Sequence, residues 1–269
     1  TKGDSFAAAR QRAVAALLSP SDAALLSDPN NTLGIEYCRA LLRVGAAPAL
    51  FTIPRTGAAH DVTPENAGGY SASAIRHLLA EGRRADALSR MVPAMRAVYE
   101  AEESAGRAPV FAAACERAIL ARLRSMTPAE FDALDTGHEG VGQRLYNASR
   151  NAATLDAVLD NAKTKRYAYA RLRRMVLWAY LGLSPAELPA SVPYLRVLAA
   201  NETGRALLGR MRKTARLPVI TKPAAIRSLS PDAQRLFETE SRAADLYALA
   251  YPELTEACGS LWRQNPVMP

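Results

Sequence analysis

Along most of the chain apolar residues recur at three- and four-residue intervals, the spacing that gathers them on one face of an α-helix. The stretch SFAAARQRAVAALL predicts a helix over residues 5–18, and TLGIEYCRALLRV predicts a second over 32–44. Asn30 or Asn31 is the expected cap of that second helix, because a short amide side chain replaces a missing backbone partner. One early run breaks the helical period. APALFTI, residues 47–53, is continuously apolar and closed by Pro54, which predicts a short strand. With the Gly-containing loop RTGAAHDVTPENAGG and the helix SASAIRHLLAEG behind it, this reads as one winding of an α/β sheet. That pattern stops near residue 82.

Beyond it the helical period returns, at about 93–105, 109–125 and 128–135. Thr127-Pro-Ala-Glu130 reads as a capping box with proline at the first helical position. Further helices are expected at about 140–152, 154–163, 166–182 and 231–250. YLRVLAA (194–200) and LPVIT (217–221) read as short strands flanking the helix TGRALLGRMRKTA. There is no internal repeat and no low-complexity linker. The change of pattern near residue 90 divides the chain into residues 1–90, with α/β character, and a mostly helical 91–269. The expected class is mainly α with a small α/β part.

Composition agrees with that class. The 269 residues suffice for two domains, 49% are hydrophobic and only 6% aromatic, and Ala and Leu fill the apolar positions, which favours helix. The net charge of +8 suits a polyanionic partner, although an Arg-rich and Ala-rich composition is equally a mark of a GC-rich genome. Cys38, Cys115 and Cys258 are far apart without CxxC spacing, which argues against a disulfide framework or a zinc site and suits a reducing cytoplasm. No apolar run approaches the roughly 20 residues that span a membrane, and no signal-peptide pattern opens the chain. TKGDSF enters a helix at once without an initiator Met, so further sequence is expected upstream.

The candidate chemistry lies at helix starts. Ser71 and Ser73 precede Arg76, so a phosphate at that helix N-terminus would meet backbone N–H groups, the positive end of the helix dipole and a guanidinium. An ordinary serine cap beside a surface arginine is the plainer reading. Arg55-Thr56-Gly57 follows the expected strand and would place a second guanidinium at the sheet edge, where open α/β sheets hold ligands. The segments PNNTLGIEY, IPRTGAAHD and SASAIR, in this order and spacing, resemble the second half of the nucleotidyltransferase domain of the tRNA(Met) cytidine acetate ligases. EGVGQRLYNASRNAATLDAVLDNAKTKRYAYARLRRMVLWAYLGL resembles the family's helical domain. PYLRVLAANETGRALLGRMRKTARLPVITKPA, followed by ETESRAADLYAL, resembles its C-terminal part.

The resemblance implies an incomplete Rossmann-like nucleotidyltransferase domain followed by an α-helical, tRNA-binding domain. It implies ATP, with its Mg, as the activating nucleotide, acetate as the acyl donor and elongator tRNA(Met) as the acceptor, acetylated at N4 of its wobble cytidine. Arg55 and Arg76 would stabilise the leaving pyrophosphate, and Asn30, Asn31, Arg55, Thr56 and Ser73 would hold the nucleotide. The family's His-x-Gly-His phosphate-binding motif occurs nowhere in the 269 residues, so the chain is expected to be inactive alone. Two other readings stand beside this one: a non-catalytic RNA-binding fragment, and an adenylyltransferase acting on a small metabolite.

The run KTKRYAYARLRR carries Lys163, Lys165, Arg166, Arg171, Arg173 and Arg174 with two tyrosines, and no acid follows until Glu187. On one helix, Arg166 and Arg173 would lie two turns apart on a face able to follow a phosphate backbone while tyrosine rings stack on bases. The plainer reading is a solvated face with tyrosine packed beneath. Arg210, Arg212, Lys213 and Arg216 would extend the same basic surface. His60-Asp61 is a candidate acid/base pair or a surface turn, and Ala59 stands where the family usually has an aromatic residue. His77 and His138 have no suggestive neighbours, and no cluster implies a metal other than the Mg that accompanies ATP.

Overall fold

The computed structural model describes residues 6–53, 71–135, 140–254 and 256–268. It divides into two compact units, one comprising residues 1–71 with 163–169 and the other 72–162 with 170–269. Both are helical, and among the described residues the strands occupy only four positions, all in the second unit.

In the first unit α1 (Phe6–Leu17), α2 (Pro20–Ala24) and α3 (Pro29–Val44) follow one another closely. The cap of α3 is Asp28, not the expected Asn30 or Asn31 two or three residues on. Its carboxylate accepts the N–H groups of Asn30 at 2.7 Å and Asn31 at 3.3 Å. Pro29 explains the shift, since it has no N–H to leave unsatisfied and its fixed φ suits the first helical position. Gly45 closes the helix at φ 65°, a left-handed conformation that glycine adopts without a Cβ clash.

The expected strand at 47–53 is not formed, and residues 47–53 have no regular secondary structure. Leu50, Phe51 and Ile53 are exposed there. A strand exists only through a hydrogen-bonded neighbour, and among the described residues none pairs with this segment. The expected loop with Arg55, Thr56, His60 and Asp61 falls in residues 54–70, outside the described residues.

The second unit begins with α4 (Ala72–Ala80), α5 (Arg84–Ser89) and α6 (Pro93–Ser104), of which α5 had no counterpart in the sequence reading. α7 (Glu116–Ser125), α8 (Pro128–Ala133), α9 (Val141–Asn151) and α10 (Leu155–Ala162) then build the main core. The capping box of α8 forms as expected. Thr127 Oγ1 accepts the Glu130 N–H, and the Glu130 carboxylate accepts the Thr127 N–H at 2.8 Å. Phe131, Val141, Leu145, Leu123 and Val158 are fully buried, and the Phe131 and Tyr146 rings meet edge to face at 5.6 Å. α8 and α9 approach so closely that a Cβ on Gly142 would lie 2.7 Å from the Phe131 carbonyl oxygen, which explains glycine there.

Helix α11 (Tyr169–Leu181) starts three residues later than the sequence suggests. Thr164 Oγ1 accepts the N–H groups of Arg166 and Tyr167 at 3.2 and 3.0 Å, a side-chain turn that competes with helix. α11 buries Leu172, Met175, Val176 and Ala179.

The two expected strands form, much shortened, as β1 (Leu195–Arg196) and β2 (Val219–Ile220), paired in parallel with Leu195 opposite Val219. Helix α12 (Glu202–Thr214) is the crossover between them. A second small core anchors this pair to α13 (Pro231–Ala248) and α14 (Ser260–Arg263). It consists of Tyr194, Ile220, Ile226, Ala233 and Phe237, with Trp262 packed against it edge to face on Phe237 at 4.6 Å. The Tyr194 hydroxyl donates to Glu240 at 3.0 Å, and burial first, then that carboxylate, pushes its pKa well above the usual phenol range.

Candidate functional site

Asn30 and Asn31 sit in the first turn of α3, exposed, with their backbone N–H groups already bonded to Asp28. The open, positive helix end expected there is therefore closed by a carboxylate of the chain itself. What the two residues still present is their side-chain amides, each with donors and an acceptor.

Ser73 and Arg76 occupy the first two turns of α4, and Arg76 Nη2 stands 3.5 Å from Ser73 Oγ. Their spacing of three puts hydroxyl and guanidinium on one helix face. Arg76 also lines, with Ala72, Ile75 and Leu79 of the same helix, a cavity of about 590 Å³. Met91, Met95, Tyr99, Phe111 and Tyr251 line it too, with Arg107 and Glu102 as further charged groups. These aromatics come from three distant segments, so no sequence spacing signals them. Arg107 donates to Glu102 at 2.6 and 2.8 Å and holds that carboxyl below the usual carboxylate range. Among the charges lining the cavity, Arg76 lies beside Ser73, whereas Arg107 is committed to an ion pair. His77 is set against Glu81 at 3.1 Å, a neighbour four residues on that the sequence reading overlooked.

The basic run does not form a single helical stripe. Lys163, Lys165 and Arg166 precede α11 and are exposed, whereas Arg171, Arg173 and Arg174 lie within it. Arg166 and Arg173 are consequently not two turns apart on one helix. The tyrosines are not free platforms either: Tyr167 is buried, and Tyr169 lies under the Lys163 ammonium at 5.1 Å. Arg171 grips Asp135 through Nε at 3.2 Å and Nη2 at 2.8 Å, a forked pair with both side chains mostly covered. Arg173 and Arg174 are exposed on α11. Among the described residues no group of three or more His, Cys, Asp or Glu side chains gathers as a metal site. No described helix is long and apolar enough to cross a membrane.

Comparisons with known proteins extend across this whole arrangement. The tRNA(Met) cytidine acetate ligase of Acetivibrio thermocellus is 31% identical over 258 residues, covering 91% of this chain and 61% of its own length. The enzyme of the same name from Caldanaerobacter subterraneus subsp. tengcongensis is 32% identical, covering 93% of this chain and 62% of its own. The chain thus spans about three fifths of these curated relatives. The apo crystal structure of Thermotoga maritima TmcAL superposes with a TM-score of 0.89 at 25% identity, covering 99% of this chain and 68% of that one. A second structure of that protein, bound with alpha-thio ATP, gives 0.86. Residues 1–260 match the HIGH nucleotidyl transferase family, and the chain belongs to it.

Proposed function

We propose that this chain is part of an ATP-dependent ligase that activates acetate as acetyl-adenylate and acetylates N4 of the wobble cytidine of elongator tRNA(Met). The observation that carries the reading is the likeness over 99% of the chain to Thermotoga maritima TmcAL, a protein also solved with an ATP analogue. In the first step an acetate oxygen attacks the α-phosphorus and the bond to the β-phosphate breaks, releasing pyrophosphate. In the second the cytidine amine attacks the acetyl carbonyl, AMP leaves and the amine gives up a proton.

The chain's part in the first step is to orient two anions and offset charge on the leaving group. Arg76, beside Ser73 at the start of α4, suits that task, and Arg55 and Thr56 are assigned to the same task by their chemistry and by the family resemblance. Asn30 and Asn31 would contact the nucleotide through their amides, since Asp28 takes their N–H groups. Magnesium would arrive on the ATP phosphates, needing one or two carboxylates at most. In this reading residues 1–90 serve the nucleotide and 91–269 the tRNA. Lys163, Lys165, Arg166, Arg173 and Arg174 supply phosphate contacts, and Arg171 fixes the start of α11 through Asp135. The reaction belongs in the cytoplasm, where ATP and tRNA meet.

The test, made on the whole ligase of which this chain would be part, is acetate-dependent exchange of pyrophosphate into ATP, followed by transfer of labelled acetate to RNA. Acetylation of elongator tRNA(Met) and of no other tRNA is expected, and adenylation of a small metabolite without tRNA overturns the reading. Arg76→Ala should lower adenylate formation about a hundredfold while tRNA affinity stays unchanged. Equal loss of both would mean a misfolded variant and no assigned role for Arg76.

A further inference from the structure

Helix α12 buries none of its residues, although it crosses between two strands that are themselves anchored to a core. Its apolar side is thin: Leu207 is exposed, and Leu208 and Met211 are half-buried. The rest of the surface is basic. Arg205, Gly209, Arg212 and Lys213 follow one another at intervals of four, three and one, which places them on one face, with Arg210 flanking it. Arg216 follows just beyond the helix end. Among the described residues none of these five cations forms an ion pair. Glu202, in the first turn, is the helix's only acid.

Two features of this face have no explanation within the fold. Arg212 and Lys213 lie in the last turn, where the helix dipole favours cations, but Arg205 lies near the N-terminal end, where the dipole disfavours one. Gly209 sits in the exposed helix interior, where glycine is the least favourable residue after proline. It has neither a positive φ nor a close neighbour, for a Cβ added there would meet nothing within 4 Å. The consequence is a bare notch of backbone ringed by Arg205, Arg212 and Lys213.

We propose that this face of α12 is a docking surface for the sugar-phosphate backbone of RNA, with the notch at Gly209 letting a phosphate approach between the surrounding cations. The idea rests on the tRNA reading above and adds where, and by what chemistry, the tRNA is held. Arg205 and Arg212 are about 10 Å apart along the axis, so they reach different phosphates of one strand. Contacts of this kind position RNA without reading its bases. A basic amphipathic helix can also lie on an anionic membrane, but α12 has no aromatic residue on its apolar side and too narrow an apolar strip to insert.

The experiment measures affinity of the protein for elongator tRNA(Met) and for one unrelated tRNA across a salt series. Replacing Arg205, Arg210, Arg212 and Lys213 together by Gln should weaken both tRNAs by the same factor, about tenfold or more. It should also flatten the slope of log K against log salt by about 3, the value for four neutralised phosphates on a single strand. Gly209→Gln, which favours helix and adds no charge, should keep or raise the melting temperature yet weaken both tRNAs about threefold or more. Unchanged tRNA affinity and salt slope in the fourfold variant overturn the α12 surface and leave the tRNA reading standing, and so does unchanged affinity in Gly209→Gln. A wild-type protein that binds no tRNA overturns both. Binding to vesicles of anionic lipid that the fourfold variant loses, with tRNA affinity intact, assigns the face to a membrane instead.

Discussion

Residues 163–174 hold six basic side chains and residues 205–216 hold five, so by density of charge they look alike. In the first stretch Arg171 is forked onto Asp135, Lys163 lies over Tyr169, and Arg166 lies 5.9 Å from the centre of the buried Tyr167 ring. Other arginines of the helical core are similarly engaged. Arg144 donates to the Ala162 and Asn161 carbonyls at the end of α10, and Arg150 to the Met126 carbonyl. The second stretch, on α12, has no such partner among the described residues. A run of basic residues therefore says little about a binding surface until its carboxylates, helix ends and rings are located. The guanidinium of Arg171 is a structural clamp, whereas that of Arg212 is exposed and has no ion-pair partner among the described residues.

That contrast can be broken most severely at the apolar residues. Leu172→Ala, on the fully buried face of α11, is expected to cost about 2–5 kcal/mol in urea unfolding. Leu207→Ala, on exposed α12, should stay within about 0.5 kcal/mol. Equal costs would show that α12 is packed against something that hides its surface.

The charged residues should differ in the same sense by less. Arg171→Ala leaves the mostly covered Asp135 carboxylate without its fork and should cost about 1–3 kcal/mol, the buried-pair figure reduced for partial exposure. Arg212→Ala should again fall within about 0.5 kcal/mol. Denaturant midpoints of the two variants measure the difference directly.

The smallest expected effect is on acid stability. The Arg84 guanidinium, bonded to Glu103 at 2.8 and 3.0 Å, holds that carboxyl below the usual carboxylate range. Because the folded pKa is depressed, the pair's stabilisation is present above the unfolded value near 4.3 and is lost as pH falls through the folded one. Unfolding midpoints should therefore fall less between pH 5 and 3 in Arg84→Ala than in wild type. Arg212→Gln should leave that decline unchanged, since α12 holds no carboxylate in this way.

Much of the helical layout was legible in the sequence, because it depends on local periodicity and caps. Thr127 and Glu130 mark the start of α8 by chemistry contained within four residues, and the strands around α12 were visible as short apolar runs. Errors arose where a neighbour competed. Asp28 took the cap from Asn30 and Asn31 because Pro29 follows it, and Thr164 held Arg166 out of α11. The strand expected at 47–53 failed for a different reason, since apolar content alone cannot supply a pairing edge.

For the candidate site, the pairing of Ser73 with Arg76 was readable as a helical spacing of three. The cavity behind it was not, because Phe111, Tyr99 and Tyr251 converge from segments with no common period. The sequence by itself determined most of the helices, the basic character and the family likeness, all of which rest on local spacing or residue identity. Only the tertiary structure decided which cations are free to meet an anion. That depends on partners such as Asp135, 36 residues from Arg171 in the chain, and electrostatic pairing acts through distance in space.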